Sequence, residues 1–88
     1  MSFEFSFIAR NVETALNRVY LLRRQDAAKP LRSVPDEVFS LVEAYLRAIE
    51  NNGLVSVHAS GTHPDETLVG STLAVQVQPM LHSEFVEG

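Results

Sequence analysis

SFEFSFIARNVETALNRVYLL, residues 2–22, changes its hydrophobic period once, and that change decides the fold. Over Ser2 to Ala9 the phenylalanines stand at every second position, Phe3, Phe5 and Phe7, with Ser2, Glu4 and Ser6 between them. Successive side chains of a strand point to opposite faces, so one face is apolar and the other wet. From Val12 the apolar residues fall instead at Val12, Ala15, Leu16, Val19 and Leu22, the spacing of a helix with one buried stripe. Asn11 stands where a helix needs an N-cap, and Glu13 suits the positive end of the helix dipole. Arg23 and Arg24 suit the negative end, so the helix is expected to close there, with Gln25 to Val34 as the connection.

Outward from this stretch the pattern repeats in reverse. Pro30 cannot sit inside a continuing helix, so a second helix must begin after it. Ser33-Val34-Pro35-Asp36-Glu37 announces that helix: proline is preorganised for a first turn, and the carboxylates complement its exposed amides. Either Ser33 or Val34 is the cap. Val38, Leu41, Val42, Tyr45 and Ile49 mark the buried stripe, widened by Phe39 and Leu46, and Asn51-Asn52-Gly53 is the expected stop. Glu43 and Arg47, four apart, are expected to pair on the surface.

Alternation returns in Leu54 to Ser60, with Val55, Val57 and Ala59 inward and Ser56, His58 and Ser60 outward, and again in Leu73 to Gln78, before Pro79. Gly61 to Thr72 reads as a long polar loop in which Leu68 and Val69 could extend a strand. Connections of that length are more often functional than incidental. The chain is therefore expected to be α+β, a two-layer β-α-α-β-β domain over residues 1–80. Its three-stranded antiparallel sheet carries both helices on one face, and an acidic tail follows over 81–88.

The 88 residues leave room for one small core, so a second subunit covering a sheet edge would add stability, and a homodimer is expected. The absence of cysteine excludes disulfides, thiolate nucleophiles and cysteine-based metal sites, which fits a cytoplasmic protein. MSFEFSFIAR lacks the charged and apolar regions of a signal peptide, and no apolar run is long enough to span a bilayer.

Net charge is −4, unevenly placed. Residues 1–32 carry Arg10, Arg18, Arg23, Arg24, Lys29 and Arg32 against three carboxylates, and residues 33–88 carry Arg47 against eight. The plain reading is two neighbouring helices with complementary rims.

Candidate chemistry is sparse. His58, His63, Asp65 and Glu66 gather around the long loop, but one loop holding Pro64 supplies neither convergent ligands nor a fixed outer shell, so no metal or cofactor is expected. Ser56, His58 and Ser60 share the wet face of a strand without the nucleophile elbow of acyl transfer. No enzyme is expected. The same four residues, His58, His63, Asp65 and Glu66, are the candidate contact with a protein partner. The competing surface is the basic one, Arg18, Arg23, Arg24, Lys29 and Arg32, which could neutralise nucleic-acid phosphates. Against it stand a pI near 5.2 and phenylalanines that the core requires.

FEFSFIAR ahead of the first helix, PDEVFSLVEAYLRAI and LVSVHASG together resemble small bacteriophage and prophage proteins built as a strand, two helices and a closing hairpin. The resemblance implies an accessory viral protein in the bacterial cytoplasm, without catalytic residues, that serves assembly or binds and inhibits a host protein.

Overall fold

The computed structural model describes residues 2–30, 32–49, 53–62 and 73–80. Its elements are β1 (Ser2–Ala9), α1 (Val12–Ala27), α2 (Asp36–Ala48), β2 (Val55–Thr62) and β3 (Leu73–Pro79). The three strands form one antiparallel sheet in the order β1-β2-β3. This is the expected β-α-α-β-β arrangement. The two helices in series carry the chain back to the end of the sheet from which β2 can run antiparallel to β1, Ala9 facing Val55 and Ser2 facing Thr62.

Both helices lie on the face that carries the phenylalanines, α1 toward β1 and α2 over β3. Phe39, Leu46, Val19, Val38, Val42, Val55 and Val57 are fully buried. Phe5 and Phe7 are half-buried against this cluster, and the Phe5 ring stacks on Phe39 with centroids 5.8 Å apart. Fully burying an aliphatic or aromatic side chain contributes roughly 1.5–3 kcal/mol, against at most about 1 kcal/mol for an exposed ion pair. The apolar layer therefore sets the stability, and the charges refine the geometry.

Local chemistry explains each boundary. Asn11 is extended (φ −162°, ψ 174°), and its Oδ1 accepts the Thr14 amide at 2.7 Å, the cap the sequence indicates. α1 does not stop at Arg24 but continues through Ala27. No residue there opposes helix, and Asp26 prolongs the inward stripe one turn past Leu22. α2 is capped by neither Ser33 nor Val34: Pro35 is its N-cap, without a side-chain bond, because the Ser33 hydroxyl is engaged elsewhere. Its end comes at Ala48 rather than at Asn51 to Gly53, since Ile49 turns extended (φ −80°, ψ 128°) and packs against the core. The expected Glu43–Arg47 pair is absent among the described contacts, because Glu43 faces α1 and pairs with Arg23 instead.

β2 continues through Gly61 and Thr62, read from sequence as loop, because Phe3 and Ser2 are there to pair with them. β3 likewise includes Pro79, opposite Val55. The Met80 amide donates to the Leu54 carbonyl at 2.9 Å, which fixes the alternation of the ladder. Even-numbered residues of β3 bond to β2, and odd-numbered ones point their backbone groups to the free edge. Pro79 falls at an odd position, where no donor is needed.

Candidate functional site

The outer face of the sheet presents Glu4, Ser6 and Ile8 from β1, Ser56, His58 and Ser60 from β2, and Ala74, Gln76 and Gln78 from β3. Register places Ser6, His58 and Gln76 in one row across the three strands. A shallow depression of about 500 Å³ lies there, lined by Ser6, Ile8, Ser56, His58 and Gln76. The His58 Nε2 stands 3.8 Å from Glu4 Oε2, and the His58 side chain is 36% exposed. Ile8 adds an apolar rim at 45% exposure. The row offers an imidazole, a hydroxyl and an amide on a flat, half-wet surface, groups that hydrogen-bond a partner but hold no reacting atom in place. His63, Asp65 and Glu66, expected beside His58, lie outside the described residues, as does the tail 81–88.

Three of the five basic candidates are paired with carboxylates, and Arg23 is the one that is half-buried. Arg23 reaches from α1 to α2, where its Nε donates to Asp36 Oδ1 at 2.8 Å and its Nη2 to Asp36 Oδ2 at 2.6 Å. Nη1 donates to Glu43 Oε2 at 3.2 Å. Hydrogen bonding to the Arg23 guanidinium holds the Asp36 carboxyl below its ordinary value of 3.8, and the same bonds raise Arg23. Arg32 bridges Asp26 and Asp36, and Lys29 lies 4.0 Å from Asp26. Arg18 covers the Phe7 ring and Arg24 the Tyr20 ring, at 5.2 and 5.7 Å from the centroids. Six positions apart on α1, these two arginines diverge by about 120° around the helix. The five cations therefore do not form one surface of unpaired charge.

Sequence reading missed Asp26, which is only 4% exposed. Its Oδ1 accepts from the Ser33 hydroxyl at 2.9 Å and the Ser33 amide at 3.3 Å, and its Oδ2 from the Val34 amide at 3.4 Å. The carboxylate lies at the floor of a groove of about 420 Å³ between the start of β1 and the end of α1. All its partners belong to the connection between the helices or to Lys29 and Arg32, so the arrangement is a clasp on that connection. The signal was available: an aspartate at the i+4 position from Leu22 and i+7 from Val19 continues an apolar stripe, where a carboxylate must find donors.

Among the described residues no three histidine or carboxylate side chains converge as metal ligands, and no helix is long and apolar enough to cross a membrane. Comparisons with family models, curated proteins and solved structures return no match to this chain.

Proposed function

We propose that the chain is a small protein-interaction module that works by binding rather than by catalysis. One observation carries the reading. Of the basic groups that suggested other chemistry, Arg23 joins the two helices through Asp36 and Glu43, Arg32 and Lys29 lie against Asp26, and Arg18 and Arg24 diverge around α1. The polar sheet face around His58 and the two sheet edges are engaged by no other described element. A flat face with an imidazole, hydroxyls and amides in register suits a protein surface of mixed polarity. His63, Asp65 and Glu66 follow β2 directly in sequence and extend that contact in the proposal. The resemblance to phage proteins supports a host protein as the partner.

The structure also dictates the experiment. Reversing Arg23 would break the fork to Asp36, so the nucleic-acid alternative is tested at Arg18 and Arg24, which no described carboxylate holds. The tagged chain is used to capture partners from nuclease-treated bacterial lysate, and the captured protein is then purified and recombined with it. His58→Ala with Gln76→Glu is expected to weaken the recombined complex at least tenfold, and Arg18→Glu with Arg24→Glu to leave it unchanged. Failure to form any complex from purified components, together with nucleic-acid binding lost in the arginine variant, overturns the reading.

A further inference from the structure

Two edges of the sheet are open among the described residues, and they differ. β1 carries a charge on each face, Glu4 on the outer one and Arg18 of α1 over Phe7 on the helix side, and charges at an edge disfavour its pairing with another strand. β3, Leu-Ala-Val-Gln-Val-Gln-Pro, carries no charge. Its odd-numbered residues, whose backbone groups face outward, are Leu73, Val75, Val77 and Pro79, all of whose side chains lie on the helix side.

The flank of α2 next to this edge matches it. At about 100° per residue, Asp36, Ser40 and Glu43 share the side that meets Arg23 of α1, while Leu41, Tyr45 and Ala48 fall on the other flank, with Glu37 at its first turn. Because α1 sits toward β1 and α2 over β3, that other flank overhangs the free edge of β3. Leu41, Tyr45 and Leu73 are 37%, 44% and 42% exposed. The resulting strip sets an uncharged strand beside a helix flank that is apolar beyond Glu37, and the strand itself lacks the lysine or inward charge that protects the edge of a monomer.

We propose that this strip binds a second copy of the chain, the two β3 strands pairing antiparallel about a two-fold axis at Gln76 to make one six-stranded sheet. The inference rests on the protein-interaction reading and names one partner for it. β3 is self-complementary about Gln76. Val75 meets Val77 of the second copy and Leu73 meets Pro79, so apolar residues stay on the helix side, while Ala74 meets Gln78 on the outer side. The odd residues supply the outward donors and acceptors, and Pro79 needs only to accept. No like charges are opposed along the strand, and α2 meets its copy through Leu41 and Tyr45.

This register makes Gln76 and its copy a non-hydrogen-bonded pair with Cα atoms about 4.5 Å apart, within disulfide range. The chain has no cysteine of its own, so a single Gln76→Cys is an unambiguous reporter. Mild oxidation of the full-length variant is expected to give a covalent dimer, whereas Ser6→Cys on β1 is expected to give none. Sedimentation equilibrium of the unmodified chain should show a mass approaching twice 9.8 kDa as concentration rises. Val75→Pro removes an outward donor that β2 does not use and should raise the dimer dissociation constant at least tenfold. Leu41→Lys with Tyr45→Lys, at exposed positions, should do the same with an unchanged circular dichroism spectrum. A monomer at every concentration, or crosslinking through Ser6→Cys in place of Gln76→Cys, overturns the proposal. A monomer that still forms the complex with the captured protein leaves the interaction reading standing.

Discussion

Asp26 shows how one side chain fixes a connection that propensity leaves open. Arg32 to Pro35 has no regular hydrogen-bonding pattern of its own, and Val34 is buried, so its amide needs a partner inside the protein. The carboxylate supplies it, and the Ser33 amide and hydroxyl complete the set. Removing the acceptor leaves those donors without a partner at a cost of about 1–3 kcal/mol for a buried group. Asp26→Ala is expected to lose about 3 kcal/mol in urea unfolding. Asp26→Asn keeps one acceptor oxygen and is expected to lose less, with the difference measured under the same conditions. Equal losses would show that the charge opposite Arg32 and Lys29, rather than the bonds to the backbone, holds the connection.

Between elements, the most directional contact is the fork from Arg23 of α1 to Asp36 in the first turn of α2. Arg23 is half-buried but Asp36 is exposed, and water screens the pair, so their coupling is expected at about 0.5–1 kcal/mol in a double-mutant cycle. Its dependence on pH has a definite sign. The folded protein holds the Asp36 carboxyl below 3.8, so the unfolded chain takes up its proton first as pH falls. The contribution is therefore complete above the unfolded value and disappears as pH drops through the lower, folded one. Asp36→Asn is expected to be less stable than the unmodified chain at neutral pH and to match it in strong acid, measured by urea unfolding at a series of pH values. Such contacts mark the limit of reading the sequence. The cap at Asn11, the strand of phenylalanines and the inward stripe of α2 are written in residues a few positions apart. The Arg23 fork joins residues of two helices, and Glu43 chose it over the nearer Arg47 because α1 lies on that side. The length of β2 was hidden for the same reason, since Gly61 is a strand residue because Phe3 and Leu73 lie opposite it. The row of Ser6, His58 and Gln76 exists only once three distant segments pair.

For the molecule as a whole, the sheet is a ladder with one central rail. β2 bonds to both neighbours, and the phase fixed at Met80 assigns its odd-numbered residues to β1. Along β1, Phe3, Phe5 and Phe7 then bond to β2, while Ser2, Glu4, Ser6 and Ile8 turn their amides outward. Hydrogen exchange is expected to alternate residue by residue along β1, slow at the phenylalanines and fast between them. Uniform protection along the strand would mean that another segment covers this edge as well. The pairing of β1 with β2 also orders events during synthesis. β1 is synthesised before its only described partner in the sheet, which emerges after both helices, and at roughly 5–20 residues per second that delay lasts seconds. By then every described partner of Asp26 and Arg23 has been synthesised. Until β2 emerges, the phenylalanines of β1 lack both their ladder and the Val55, Val57 and Ala59 side chains that complete the core beside them, leaving an apolar row that a chaperone could bind.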